Sequence, residues 1–63
     1  MICLGELLEV VNENYDVDIV DAETGEILGY YDGRDSIDEE YNEWIVYDVY
    51  PYKNRLIICV SEE

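Results

Sequence analysis

Residues 55–60 read RLIICV, and in a chain of 63 residues this near-continuous apolar run constrains the fold more than any other segment. A strand that apolar belongs at the centre of a sheet, or under a cover on its main face. A chain this short buries only about 60% of the surface its unfolded form exposes. Its stability is therefore marginal, and it has little room for a deep catalytic cleft.

The rest of the chain supplies partners for that strand. Residues 44–50, WIVYDVY, are rich in β-branched and aromatic side chains and read as the strand before it, joined by a turn over 51–54, PYKN. Residues 15–22, YDVDIVDA, alternate: Tyr15, Val17 and Ile19 share one face, Asp16 and Asp18 the other. The turn AETGE (22–26) offers Gly25 for a left-handed position, and EILGYY (26–31) returns as a second strand that Asp32 and Gly33 break. Over 2–14, Leu4, Leu7, Leu8 and Val11 stand at the spacing of one helix face, with Glu6, Glu9 and Glu13 elsewhere on the circumference. Gly5 weakens the first turn, and Asn12 and Asn14 suit the end.

In DSIDEEYNEW (35–44), Ser36 and Glu39 make a capping box, and Asp38 and Glu39 favour the helix dipole. Ile37, Tyr41 and Trp44 fall on one face that can seat a short second helix against the sheet. The expected fold is α+β, ordered α-β-β-α-β-β, in a single domain over 1–63. It comprises one four-stranded antiparallel sheet of two hairpins, with the N-terminal helix on one face and a short second helix.

Seventeen acidic residues against three basic ones give a net charge of −14. Arg34, Lys53 and Arg55 form no basic cluster, so direct binding to nucleic acid or to an anionic membrane is not expected. The natural complement is a basic protein surface. Acidity also serves solubility, at a cost in self-repulsion.

Motifs with a chemical mechanism are missing. A calcium loop begun at Asp32 puts Arg34 third and Ile37 sixth; one begun at Asp16 puts Val20 fifth and Asp21 sixth, and both fail. The chain has no histidine, and Cys3 and Cys59 lie in the apolar runs ICL and IICV, which favour inert buried thiols. A bridge between them would require the last strand to lie under the first helix; two reduced thiols in a cytoplasmic protein are the simpler reading. The opening MICLGELLEV has no basic leader region, and no apolar run approaches membrane-spanning length. GxGxxG and P-loop patterns are absent. The expectation is no enzyme, no cofactor and no metal site.

Seven tyrosines are more informative, because tyrosine buries a large area at interfaces with little rotamer entropy. Tyr31, Tyr47 and Tyr50 are the candidate anchors, with Asp16, Asp18, Asp32, Asp35, Asp38, Glu39 and Glu43 as the source of the field. Alternate strand residues repeat at about 6.6 Å and adjacent strands lie about 4.8 Å apart. Carboxylates so spaced overlap the range of phosphate separations in a duplex, which carries about one charge per 1.7 Å of axis. Asp48, Asp21, Glu23 and Glu26 can extend the row.

The segments LGELLEVV (4–11), VDIVD (17–21), ETGE (23–26), SIDEEY (36–41) and LIICV (56–60) together resemble a group of very small acidic proteins of phages and prophages of Gram-positive bacteria. Most of that group has no assigned function, so the resemblance carries over no functional residues. In size and charge the chain is similar to anti-CRISPR and other anti-defence inhibitors that occupy nucleic-acid-binding sites. The expectation is thus a non-enzymatic, nucleic-acid-mimic inhibitor of a basic nucleic-acid-binding protein of defence or regulation. The alternative is a small phage structural or assembly module, a homodimer that uses an open sheet edge or its tyrosine-rich face.

Overall fold

The computed structural model describes residues 1–11, 14–32 and 39–62. A short helix α1 (Leu4–Leu8) precedes strands β1 (Asp16–Asp21) and β2 (Ile27–Asp32), then β3 (Ile45–Tyr52) and β4 (Arg55–Ser61). The chain is an α+β fold with both expected hairpins: β1 pairs antiparallel with β2, and β3 with β4. The sheet is mixed rather than antiparallel throughout. Its order is β2-β1-β4-β3, and the two inner strands run parallel.

That correction has a physical basis. The two hairpins meet through the strands whose inward residues are most deeply buried, where Val17 and Ile19 of β1 lie beside Ile58 and Val60 of β4, all four fully buried. Strands β2 and β3, which hold no buried residue among those described, are left at the edges. The chain between Asp32 and Ile45 joins one edge strand to the other, and the first and last strands point the same way. Strand β4 is central, as its apolar run requires.

Leu4 completes the buried core, and Leu7, Leu8, Val11, Tyr41 and Trp44 pack against it. Each fully buried aliphatic side chain contributes about 2 kcal/mol. Tyr41 and Trp44 meet edge to face with ring centres 4.9 Å apart. Helix α1 is shorter than the periodicity over 2–14 predicts. Val10 and Val11 are β-branched and poor at continuing a helix. Both their amides donate to the Leu7 carbonyl, at 3.0 and 3.2 Å, and the last turn tightens there. Val11 still reaches the core, so the apolar stripe is used without a long helix.

The start of α1 is tied to the chain before β3. Leu4 N–H donates to the Trp44 carbonyl at 2.8 Å and Gly5 N–H to that of Asn42 at 2.9 Å, satisfying two amides that a helix N-terminus leaves open. A side chain on Gly5 would place its Cβ 3.2 Å from both the Asn42 Cβ and its carbonyl oxygen. Glycine fits this close approach, where a larger residue would make Asn42 give way by a few tenths of an ångström. Glu6 reaches back, and its carboxylate accepts from the Cys3 N–H and from Cys3 Sγ, each at 3.2 Å. The Cys3 amide, and then its thiol, lower the Glu6 carboxyl below its ordinary value.

Gly25 takes the expected left-handed conformation, φ 79°, and donates to the Asp21 carbonyl at 2.8 Å. The second hairpin turns more tightly than PYKN predicts. Pro51 and Tyr52 belong to β3, leaving Lys53 (φ 58°) and Asn54 as the turn. Proline is tolerated there because β3 is an edge strand. Of the expected second helix, the described part is a single 3-10 turn, Glu39–Tyr41. The capping serine Ser36, with Ile37 and Asp38, lies outside the described residues. No helix among the described residues is long and apolar enough to cross a membrane.

Candidate partner-binding face

Because paired residues share a sheet face, the register assigns every strand position to one side. On the side away from α1 it yields three rows. The first runs Asp48, Cys59, Val20, Ile27; the second Tyr50, Ile57, Asp18, Tyr30; the third Tyr52, Arg55, Asp16. Tyr30, Tyr50 and Tyr52 are 51%, 41% and 56% exposed, and Ile27 is similarly open, so no described element packs over them. Ile57 in the middle row is nevertheless buried, shielded by the larger side chains around it.

One cation organises this face. Arg55 Nε donates to Asp18 Oδ1 at 2.9 Å and Nη2 donates to the same oxygen. Asp16 Oδ2 lies 3.9 Å from Nη1, and the guanidinium carbon stands 5.7 Å from the centre of the Tyr30 ring. The hydrogen bond that Arg55 donates to Asp18 raises the Arg55 pKa above its ordinary value. The Asp18 side chain is only 13% exposed, so most of its charge is answered within the protein. The Asp16–Asp18 row is therefore less like a bare phosphate row than the sequence suggests. Asp16 remains half exposed, and Asp48 is exposed as well. Beyond the third row, a shallow depression of about 290 Å³ is lined by Tyr15, Asp16, Pro51, Lys53, Asn54, Arg55 and Leu56.

The sequence-predicted residues divide accordingly. Asp16, Asp18 and Tyr50 come together on this face, and Asp32 pairs with Asp16 at the end of β2. Tyr31 pairs with Val17, one position away from the row that holds Tyr30. Tyr47 is exposed but occupies a bulge in β3, between Val46 and Asp48. Glu39 and Glu43 are exposed on and just after the 3-10 turn, whose Tyr41 packs on the covered side. Asp35 and Asp38 lie outside the described residues. Sequence reasoning overlooked Tyr30, Tyr52, Ile27 and Arg55 as members of the face. A lone cation in a central strand, flanked by acid-bearing strands, was the available signal for Arg55.

No three His, Cys, Asp or Glu side chains among the described residues could hold a metal ion. Cys3 and Cys59 are unbridged, because Cys59 belongs to the open face while Cys3 precedes α1 beside Ile45. Burial, and then Asp48, push the Cys59 thiol pKa up, away from the reactive thiolate.

What the fold and this face define is a small mixed-sheet domain with one covered and one exposed aromatic face. No protein-family model, no curated protein and no solved structure matches the chain.

Proposed function

We propose that the chain is a non-enzymatic acidic binding protein whose open sheet face takes a basic protein surface. The partner class is a nucleic-acid-binding protein of defence or regulation, and the outcome is inhibition by occupying its nucleic-acid site. The observation that carries this reading is the co-placement of Tyr30, Tyr50 and Tyr52 with Asp16, Asp18 and Asp48 on one uncovered face. Tyrosines supply rigid contact area, and acids around them steer a positive partner and reject a negative one. The net charge of −14 extends that field over the whole body. A homodimer through the same face would set −14 against −14, which favours a partner of opposite charge.

The test is retention on the immobilised protein. A bacterial lysate is passed over it and eluted first with salt and, in a parallel run, with duplex DNA. The expected result is a basic nucleic-acid-binding protein released by both, whose DNA binding the soluble chain inhibits. Retention of no such protein overturns the reading.

A further inference from the structure

The sheet's two edges are finished differently. Along β3, the Ile2 carbonyl accepts the Val46 N–H at 2.9 Å, the Asp48 carboxylate accepts the Val49 N–H at 2.9 Å, and Pro51 has no N–H to offer. The bulge at Tyr47 interrupts the ladder as well. These are the devices by which proteins keep an edge from pairing with another chain. Strand β2 has a bulge of its own at Leu28, but beyond it Gly29 to Asp32 run in regular register with β1. That stretch contains no proline or lysine, and among the described residues no strand lies on its outer side. Beside it, Ile27 and Tyr30 are half exposed on the open face.

We propose that the outer edge of β2 takes an extended, lysine- or arginine-rich segment of a partner protein as a fifth strand. This rests on the reading of a basic partner and adds how that partner is held. Backbone hydrogen bonds to 29–32 supply affinity, and alternate side chains of the added segment lie beside Tyr30 and Ile27. Charge selects the occupant. Glu26 precedes β2, Asp32 ends it, and Asp16 pairs with Asp32, while the nearby Arg55 is already held by Asp18. A second copy would pair this acidic edge with itself.

The experiment uses the isotope-labelled full chain and two short peptides of alternating lysine and valine. One is unmodified, and the other is N-methylated at every residue so that neither of its edges can donate. The unmodified peptide binds at low salt, shifts the backbone amides of 29–32 and slows their exchange, and leaves those of 46–50 unchanged. Methylation weakens binding about tenfold or more, because several backbone hydrogen bonds are lost together. Equal binding of the two peptides overturns strand addition and leaves the basic-partner reading standing. Failure of both to bind at low salt overturns both. Protection of 29–32 that rises with protein concentration in the absence of peptide places a second copy there and overturns the basic segment as occupant.

Discussion

The two faces of this sheet use the same four strands for opposite purposes. On one, Val17, Ile19, Ile58 and Val60 are fully buried beneath Leu4 of α1 and Tyr41 of the 3-10 turn. On the other, three half-exposed tyrosines surround an Arg55–Asp18 pair, with Asp16 and Asp48 beside them. The first face supplies the burial that a small, marginal domain needs. The second leaves large aromatic area in water, which folding alone does not require. The difference teaches that strand periodicity builds both faces at once, but only one is needed for folding. The other is available for recognition.

The largest effect should come from the covered face. Ile58→Ala removes a fully buried side chain beside Ile19 and is expected to cost about 2–5 kcal/mol, enough to unfold much of the population, as seen in urea titration by circular dichroism. Arg55→Met comes next. It leaves the mostly buried Asp18 carboxylate without its cation and lowers the urea midpoint at neutral pH, by less than Ile58→Ala. Gly5→Ala would gain about 1 kcal/mol of helix propensity in an open helix. Here its Cβ would press on Asn42, whose carbonyl is held by the Gly5 N–H itself, so a net loss of about 1 kcal/mol is expected from the same titration.

Glu6→Gln sharpens the comparison through pH. The folded Glu6 carboxyl lies below its ordinary value, so its contribution is fully present above the ordinary glutamate range. It is lost as pH falls through the lowered folded value. Wild type should therefore lose more stability than Glu6→Gln across that acid window, measured by urea unfolding at stepped pH. The smallest effect belongs to the open face. Tyr30→Ser combined with Tyr50→Ser should shift stability by less than about 1 kcal/mol, since both side chains are already about half in water.

Local pattern carried the reading of the elements a long way. The alternation in VDIV places Val17 and Ile19 inward, Gly25 turns left-handed, and LIICV forms a central strand. Those features depend on side-chain period and turn chemistry, which are written locally. Pairing between hairpins is not. The parallel contact of β1 with β4 joins segments far apart in the chain, and no short-range signal distinguishes it from an antiparallel meander. The start of α1 is held by backbone ties to Trp44 and Asn42, contacts that helix periodicity does not encode. The candidate site suffered in the same way. Asp16, Asp18 and Tyr50 follow from strand alternation, whereas choosing Tyr30 over Tyr31 requires the register of β2 with β1. Recognising Arg55 as the partner of Asp18 requires the parallel pairing.

The most direct test compares wild type with a Tyr30→Ser, Tyr50→Ser, Tyr52→Ser variant, both immobilised and exposed to the same lysate. Thermal unfolding of each is measured alongside to confirm the fold. If the open face is the binding surface, the variant stays folded and loses the basic nucleic-acid-binding protein that wild type retains. Equal retention of that protein by a folded variant would place recognition elsewhere and contradict the division of labour between the two faces.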